Sequence, residues 1–154
     1  MNPRHTKTIS KCDKGFSLIE LLVVLAIVAI LTVVGVPSYS DHVRAQKRNV
    51  SKVHLLDIVS RQNQYLADNR QYASNLTFLG FSNETYGITK NGKHTAADST
   101  DAIYVISLAN TSNYTYSVVA TPVNQQSQDN GCGTLSITSG GLHSASGDNA
   151  YSCW

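Results

Sequence analysis

Residues 15–37 read GFSLIELLVVLAIVAILTVVGVP, an apolar run with a carboxylate, Glu20, near its start and the basic stretch KCDK (11–14) directly before it. Phe16 to Val36 is 21 residues interrupted only by Ser17, Glu20 and Thr32. At about 1.5 Å per residue, a helix of that length spans roughly 31 Å, close to one hydrocarbon core. A chain of 154 residues is one domain, or one domain and an anchor. It is too small to cover such a helix on every side, so the run reads as a membrane segment.

The segment does not read as an ordinary export signal. A secretory signal ends in small residues of A-x-A type, and the far end here is TVVGVPSYS (32–40). A lipoprotein cysteine follows the apolar run, whereas Cys12 precedes it. Arg44, Lys47, Arg48 and Lys52 follow the run as closely as Arg4, Lys7, Lys11 and Lys14 precede it, so the positive-inside rule is nearly a tie. A carboxylate at the centre of a membrane helix costs about 2.5–3.5 kcal/mol on insertion scales. Near the helix start the cost is smaller, because the helix dipole favours negative charge there. Glu20 is then either an interfacial acid reaching the headgroups or an acid awaiting a positive partner in an assembly, where pairing offsets desolvation.

Lys14-Gly15, then Phe16-Ser17-Leu18-Ile19-Glu20-Leu21-Leu22, the aliphatic run and Pro37-Ser38-Tyr39 resemble the leader and amino-terminal helix of type IV pilins and pseudopilins. The resemblance implies that a prepilin peptidase cuts between Gly15 and Phe16 and methylates the new amino terminus. Residues 1–15 would leave as a leader, 16–36 would remain as the transmembrane and filament-core helix, and 37–154 would form the head with the second half of the helix. Glu20 would pair with the amino terminus of a neighbouring subunit. Many major pilins carry glycine where this chain has Ala29, so any unwinding is expected nearer Gly35–Pro37, with Pro37 the kink.

Beyond Pro37 the helix is expected to continue to about Asp68, with Val43, Val50, Val53, Leu56, Val59 and Leu66 on its apolar face. Arg44 to Lys52 reads first as a solvated face or an anionic-lipid contact, with subunit or DNA contact the alternative. Residues 69–101 lack a period and read as a connecting loop with one strand near Tyr86–Thr89. Strand-like runs follow at 102–108, 114–122 and 133–140, the first two joined as a hairpin by NTSN. The fold class is α+β, one long helix packed on an antiparallel sheet, and the resemblance implies a pilin fold.

Removing the leader leaves Cys132 and Cys153 as the only cysteines, and an even pair in an exported domain most simply forms a disulfide. Closing the 20 intervening residues is worth about 3–4 kcal/mol in the entropic picture. The oxidised pair would place the head in the periplasm before assembly and outside the cell afterwards. A strand ending in ATP, then CGTL and a terminal Cys-Trp, resembles the carboxyl end of minor pilins of the PilE type, in which the disulfide bounds a surface loop. Trp154 reads as a packing anchor or, alternatively, as a ligand-binding aromatic.

No catalytic motif, cofactor fingerprint or metal-ligand spacing is present; Asp98 and Asp101 match no calcium loop. The expected function is a non-enzymatic minor pilin of a type IV pilus, supporting biogenesis, twitching, adhesion or DNA uptake. Its partners would be major and minor pilins, the peptidase and the inner-membrane assembly platform. The rivals are a type II secretion pseudopilin, a DNA-receptor pilin for competence and an uncleaved anchored domain. Support for DNA is thin at this level: from Phe16 onward eight Lys/Arg face nine Asp/Glu, and phosphate binding needs a basic surface.

Overall fold

A computed structural model of the chain describes residues 15–154, without the side chains of 33–38. Residues 1–14, Lys11, Cys12 and Lys14 among them, lie outside the described residues. Two compact units divide the chain, Met1–Tyr39 and Ser40–Trp154.

Helix α1 runs Leu18–Asn69, 52 residues, and its backbone stays helical through Gly35–Pro37. No unwinding interrupts the backbone there. Thr32, inside the apolar run, donates its hydroxyl to the Ala29 carbonyl at 2.9 Å and so satisfies itself within the helix. The large apolar side chains from Phe16 to Leu31 are all at least half exposed, from 50% at Val28 to 85% at Phe16. Among the described residues no helix is long and apolar enough to cross a membrane, and the side chains of 33–38 are not among them.

In the second unit six strands form one antiparallel sheet in the order β2-β1-β3-β4-β5-β6: β1 Tyr86–Thr89, β2 His94–Thr95, β3 Ala102–Ala109, β4 Ser117–Pro122, β5 Leu135–Thr138 and β6 His143–Ala145. Period-two alternation puts Tyr104 and Ile106, Val118 and Ala120, and Leu135 and Ile137 on one buried face. Their register matches, with Ile106 opposite Ala120 and Val118 opposite Ile137. Leu55 and Ile58 of α1 complete that core, with Leu76, Leu79 and Phe81 from the segment after the helix.

The helix face overlaps the expected one, with Val50 and Val59 packed against the core, but its centre is shifted. Val53 and Leu56 are 66% and 52% exposed, while Ser51, Leu55, Ile58 and Gln62 are buried. Two polar residues on the stripe shifted its apparent phase. Gln62 belongs there because its amide donates to the Ala73 carbonyl at 3.0 Å and accepts from the Ala73 N–H at 2.9 Å. That pairing turns the chain at the end of α1 and leaves no polar group orphaned.

Strand β4 starts at Ser117, three residues later than expected. Ser112 and Thr115 close a tight polar turn, with the Ser112 N–H donating to the Thr115 carbonyl at 2.8 Å. Tyr116 is buried edge-on against Tyr72, centroids 4.7 Å apart. Strands β2 and β6 were not legible: each is two or three residues long and largely polar.

Candidate functional site

The hairpin β1–β2 turns over Lys90–Lys93, closed by Thr89 N–H to Lys93 carbonyl and Gly92 N–H to Thr89 carbonyl, both 2.9 Å. Gly92 sits at φ +73°, where a side chain would be strained. The turn therefore presents Lys90 and Lys93 from one short loop. On its far side a register shift between Ile88 and Thr89 bends β1 against β3.

That hairpin forms one wall of a groove of about 500 Å³. Lys47 of α1, the start of β3 at Asp101–Ile103 and the 3-10 turn Asn124–Gln128 supply the others. Three lysines meet one carboxylate, Asp101, in this space. Among the described residues none of these lysine ammonium groups is ion-paired; the ion pairs use Arg44 with Asp41, Arg48 with Asp129 and Arg61 with Asp57. Arg44, Arg48 and Arg61 neutralise carboxylates while the groove lysines stay free. A head that is neutral in sum is thus locally basic.

The 3-10 wall is firmly tied. Asn124, at φ +51°, donates its amide to the Ser99 and Ala102 carbonyls at 3.0 and 2.9 Å. Gln126 is buried and donates to Tyr104 Oη at 3.3 Å and to Asp129 Oδ2 at 3.1 Å. Burial pushes the Tyr104 hydroxyl up to about 12, so it stays protonated. Asp129 takes both oxygens to Arg48, at 2.8 and 2.9 Å. Its backbone carbonyl accepts from Cys132 and Gly133 at 3.3 and 2.7 Å. One residue thereby joins helix, groove wall and carboxyl-terminal loop.

That loop is closed by the Cys132–Cys153 disulfide, as read from the sequence. Trp154 is a packing anchor: its Nε1–H donates to the Ser144 carbonyl at 2.9 Å and its ring lies 4.5 Å from His143. Lys52 lies over the same ring at 5.8 Å, and burial, then the nearby Arg48, pushes its ammonium pKa down. The hairpin is also clasped to α1. His54 Nε2–H donates to the Gly92 carbonyl at 3.2 Å, and its ring stands 5.3 Å from His94.

The amino-terminal residues are placed separately. Gly15, Phe16 and Ser17 precede regular structure, and Glu20 lies in the first turn of α1, exposed. Pro37 is helical in backbone. The groove lies wholly in Ser40–Trp154. Sequence reasoning noted Lys47 only as part of a basic helix stretch and missed Lys90, Lys93 and Gln125. The KNGK turn (90–93) was the available signal.

Residues 37–136 match the family described as "Type IV minor pilin ComP, DNA uptake sequence receptor". The chain belongs to the type IV minor pilin family. Residues 10–36 of this pilin match the prokaryotic N-terminal methylation motif. It is 42% identical over 66 residues to the type IV wide pilus major component PilA4 of Thermus thermophilus, covering 43% of this pilin and 50% of that protein. It is 41% identical over 76 residues to a fimbrial protein of Neisseria meningitidis, covering 47% and 43%. This pilin therefore spans half or less of the length of those curated relatives. A solved type IV pilin from Shewanella oneidensis aligns with 72% of this pilin and 97% of its own chain, at 21% identity and a TM-score of 0.48. The α+β fold, a long helix with an antiparallel sheet, is the one expected from the sequence.

Proposed function

We propose that this minor pilin displays a receptor for duplex DNA on a type IV pilus. The observation that carries the reading is the groove of three unpaired lysines, every lining residue of which falls within the segment 37–136 that matches the DNA-receptor family. Unpaired ammonium groups attract phosphates and release counterions on contact. Free amide side chains beside them, Asn91 and Gln125, have the donors and acceptors that base edges need.

Delivery to the pilus follows the amino-terminal reading. Residues 16–36 enter the inner membrane with the head periplasmic, where the Cys132–Cys153 bond forms. Prepilin peptidase cuts at Gly15–Phe16, in a segment outside regular structure, and methylates Phe16. The exposed apolar surface of α1 is then covered by the helices of other major and minor pilins at the assembly platform. Glu20 meets a neighbour's amino terminus there, and Pro37 kinks the helix.

Cells expressing the chain with Lys47, Lys90 and Lys93 all changed to Ala test the receptor role. The expected outcome is the wild-type amount of this subunit in sheared pili with strongly reduced uptake of added DNA. Unchanged uptake would contradict the receptor reading, and loss of protein secretion would favour a pseudopilin. Glu20→Val tests assembly: the chain should insert and be processed, with a mature terminus at Phe16 by mass, yet be depleted from sheared pili.

A further inference from the structure

Asn124, Gln125 and Gln126 are three consecutive amide side chains, and only the outer two are used internally. Asn124 is fixed to the Ser99 and Ala102 carbonyls, and Gln126 is buried against Tyr104 and Asp129. Gln125 between them is exposed, lines the groove and makes no side-chain hydrogen bond among the described residues. A short 3-10 turn anchored on both sides of one free amide holds that amide's backbone in place before any ligand arrives. Asn91, the other free amide of the groove, sits on the hairpin turn between Lys90 and Gly92, neither of which supplies a side-chain hydrogen bond among the described residues.

We propose that Gln125 is the base-reading residue of the groove and recognises an adenine edge in the major groove of bound duplex DNA. This rests on the duplex-DNA reading above. A glutamine amide accepts from the adenine N6–H and donates to N7, a two-bond pairing that no other base offers in the same order. The groove lysines hold phosphates and carry no sequence information. The work is divided: ammonium groups set affinity and Gln125 sets preference at one base pair.

The test uses the full processed chain in detergent micelles. A randomised duplex library enriched on the wild-type chain yields the preferred duplex, which is then altered one base pair at a time. Gln125→Ala should weaken binding to the preferred duplex roughly ten- to hundred-fold. It should cost nothing further once one particular A·T pair is changed to G·C, and leave affinity for an unrelated duplex unaltered. Gln125 is exposed and unbonded, so an unchanged melting temperature shows the variant folds. Equal weakening of all duplexes, or retention of the wild-type preference, overturns the base-reading role while the receptor reading stands. A wild-type chain that enriches no sequence and binds no duplex overturns both.

Discussion

Arg48 and Asp129, 81 residues apart, form a two-pronged ion pair at 2.8 and 2.9 Å in which the Asp129 side chain is 4% exposed. The pair ties α1 to the segment between the groove and the disulfide. Removing one partner leaves a largely buried charge, so Asp129→Ala should destabilise the chain by about 3 kcal/mol. Replacing both residues with apolar ones of similar size should cost much less. Chemical denaturation of wild type, both single variants and the double variant checks this; equal loss in single and double variants would contradict it.

Gln62 is a polar residue on a buried helix face, and its two bonds to the Ala73 backbone justify its place. Gln62→Leu would preserve volume but orphan a buried N–H and a buried carbonyl. The expected cost is about 2–3 kcal/mol, measured by the same denaturation, although Leu is the more apolar residue.

Reduction of the head, or Cys132→Ser, should cost about 2–5 kcal/mol. The loss should reach the groove as well, because the Asp129 carbonyl holds both Cys132 and Gly133. Hydrogen exchange should show faster opening at 124–133 than at β3.

His54 is half-buried between α1 and the hairpin, and burial, then the nearby His94, pushes its pKa below its ordinary 6.5. The Gly92 carbonyl and Asp57 act weakly in the opposite direction, and Tyr86 Oη lies 3.5 Å from its Nδ1. A folded-state pKa below the unfolded value means the unfolded chain binds more protons in the window between them. The contribution is therefore complete above 6.5 and is lost as pH falls below it. Stability should decline on acidification from pH 7, and His54→Gln should flatten that slope.

How far the sequence spoke depends on what each residue needed to reveal itself. The methylation motif over residues 10–36 was legible because a carboxylate inside an apolar stretch has few explanations. The sheet was legible where strands alternate, as in AIYVISL, and hidden where two or three polar residues pair at an edge, as in β2 and β6. The groove was hidden for a different reason. Net charge adds Arg48 to Asp129 and Lys90 to Glu84 without regard to place. Only the fold shows that Arg44, Arg48 and Arg61 sit on carboxylates and the groove lysines do not. Gln62 misled the helix face in the same way, since its partner lies in the turn that follows.

The central claim is that Lys47, Lys90 and Lys93 form a phosphate-binding face. Its most direct test is the salt dependence of duplex binding by the full processed chain in detergent, wild type against the triple Lys→Ala variant. Every lysine–phosphate pairing removed should reduce the slope of log K against log salt by about 0.9, so the variant's slope should be shallower by roughly 2.7, with weaker binding to all sequences. A slope that is the same in both proteins would contradict the claim.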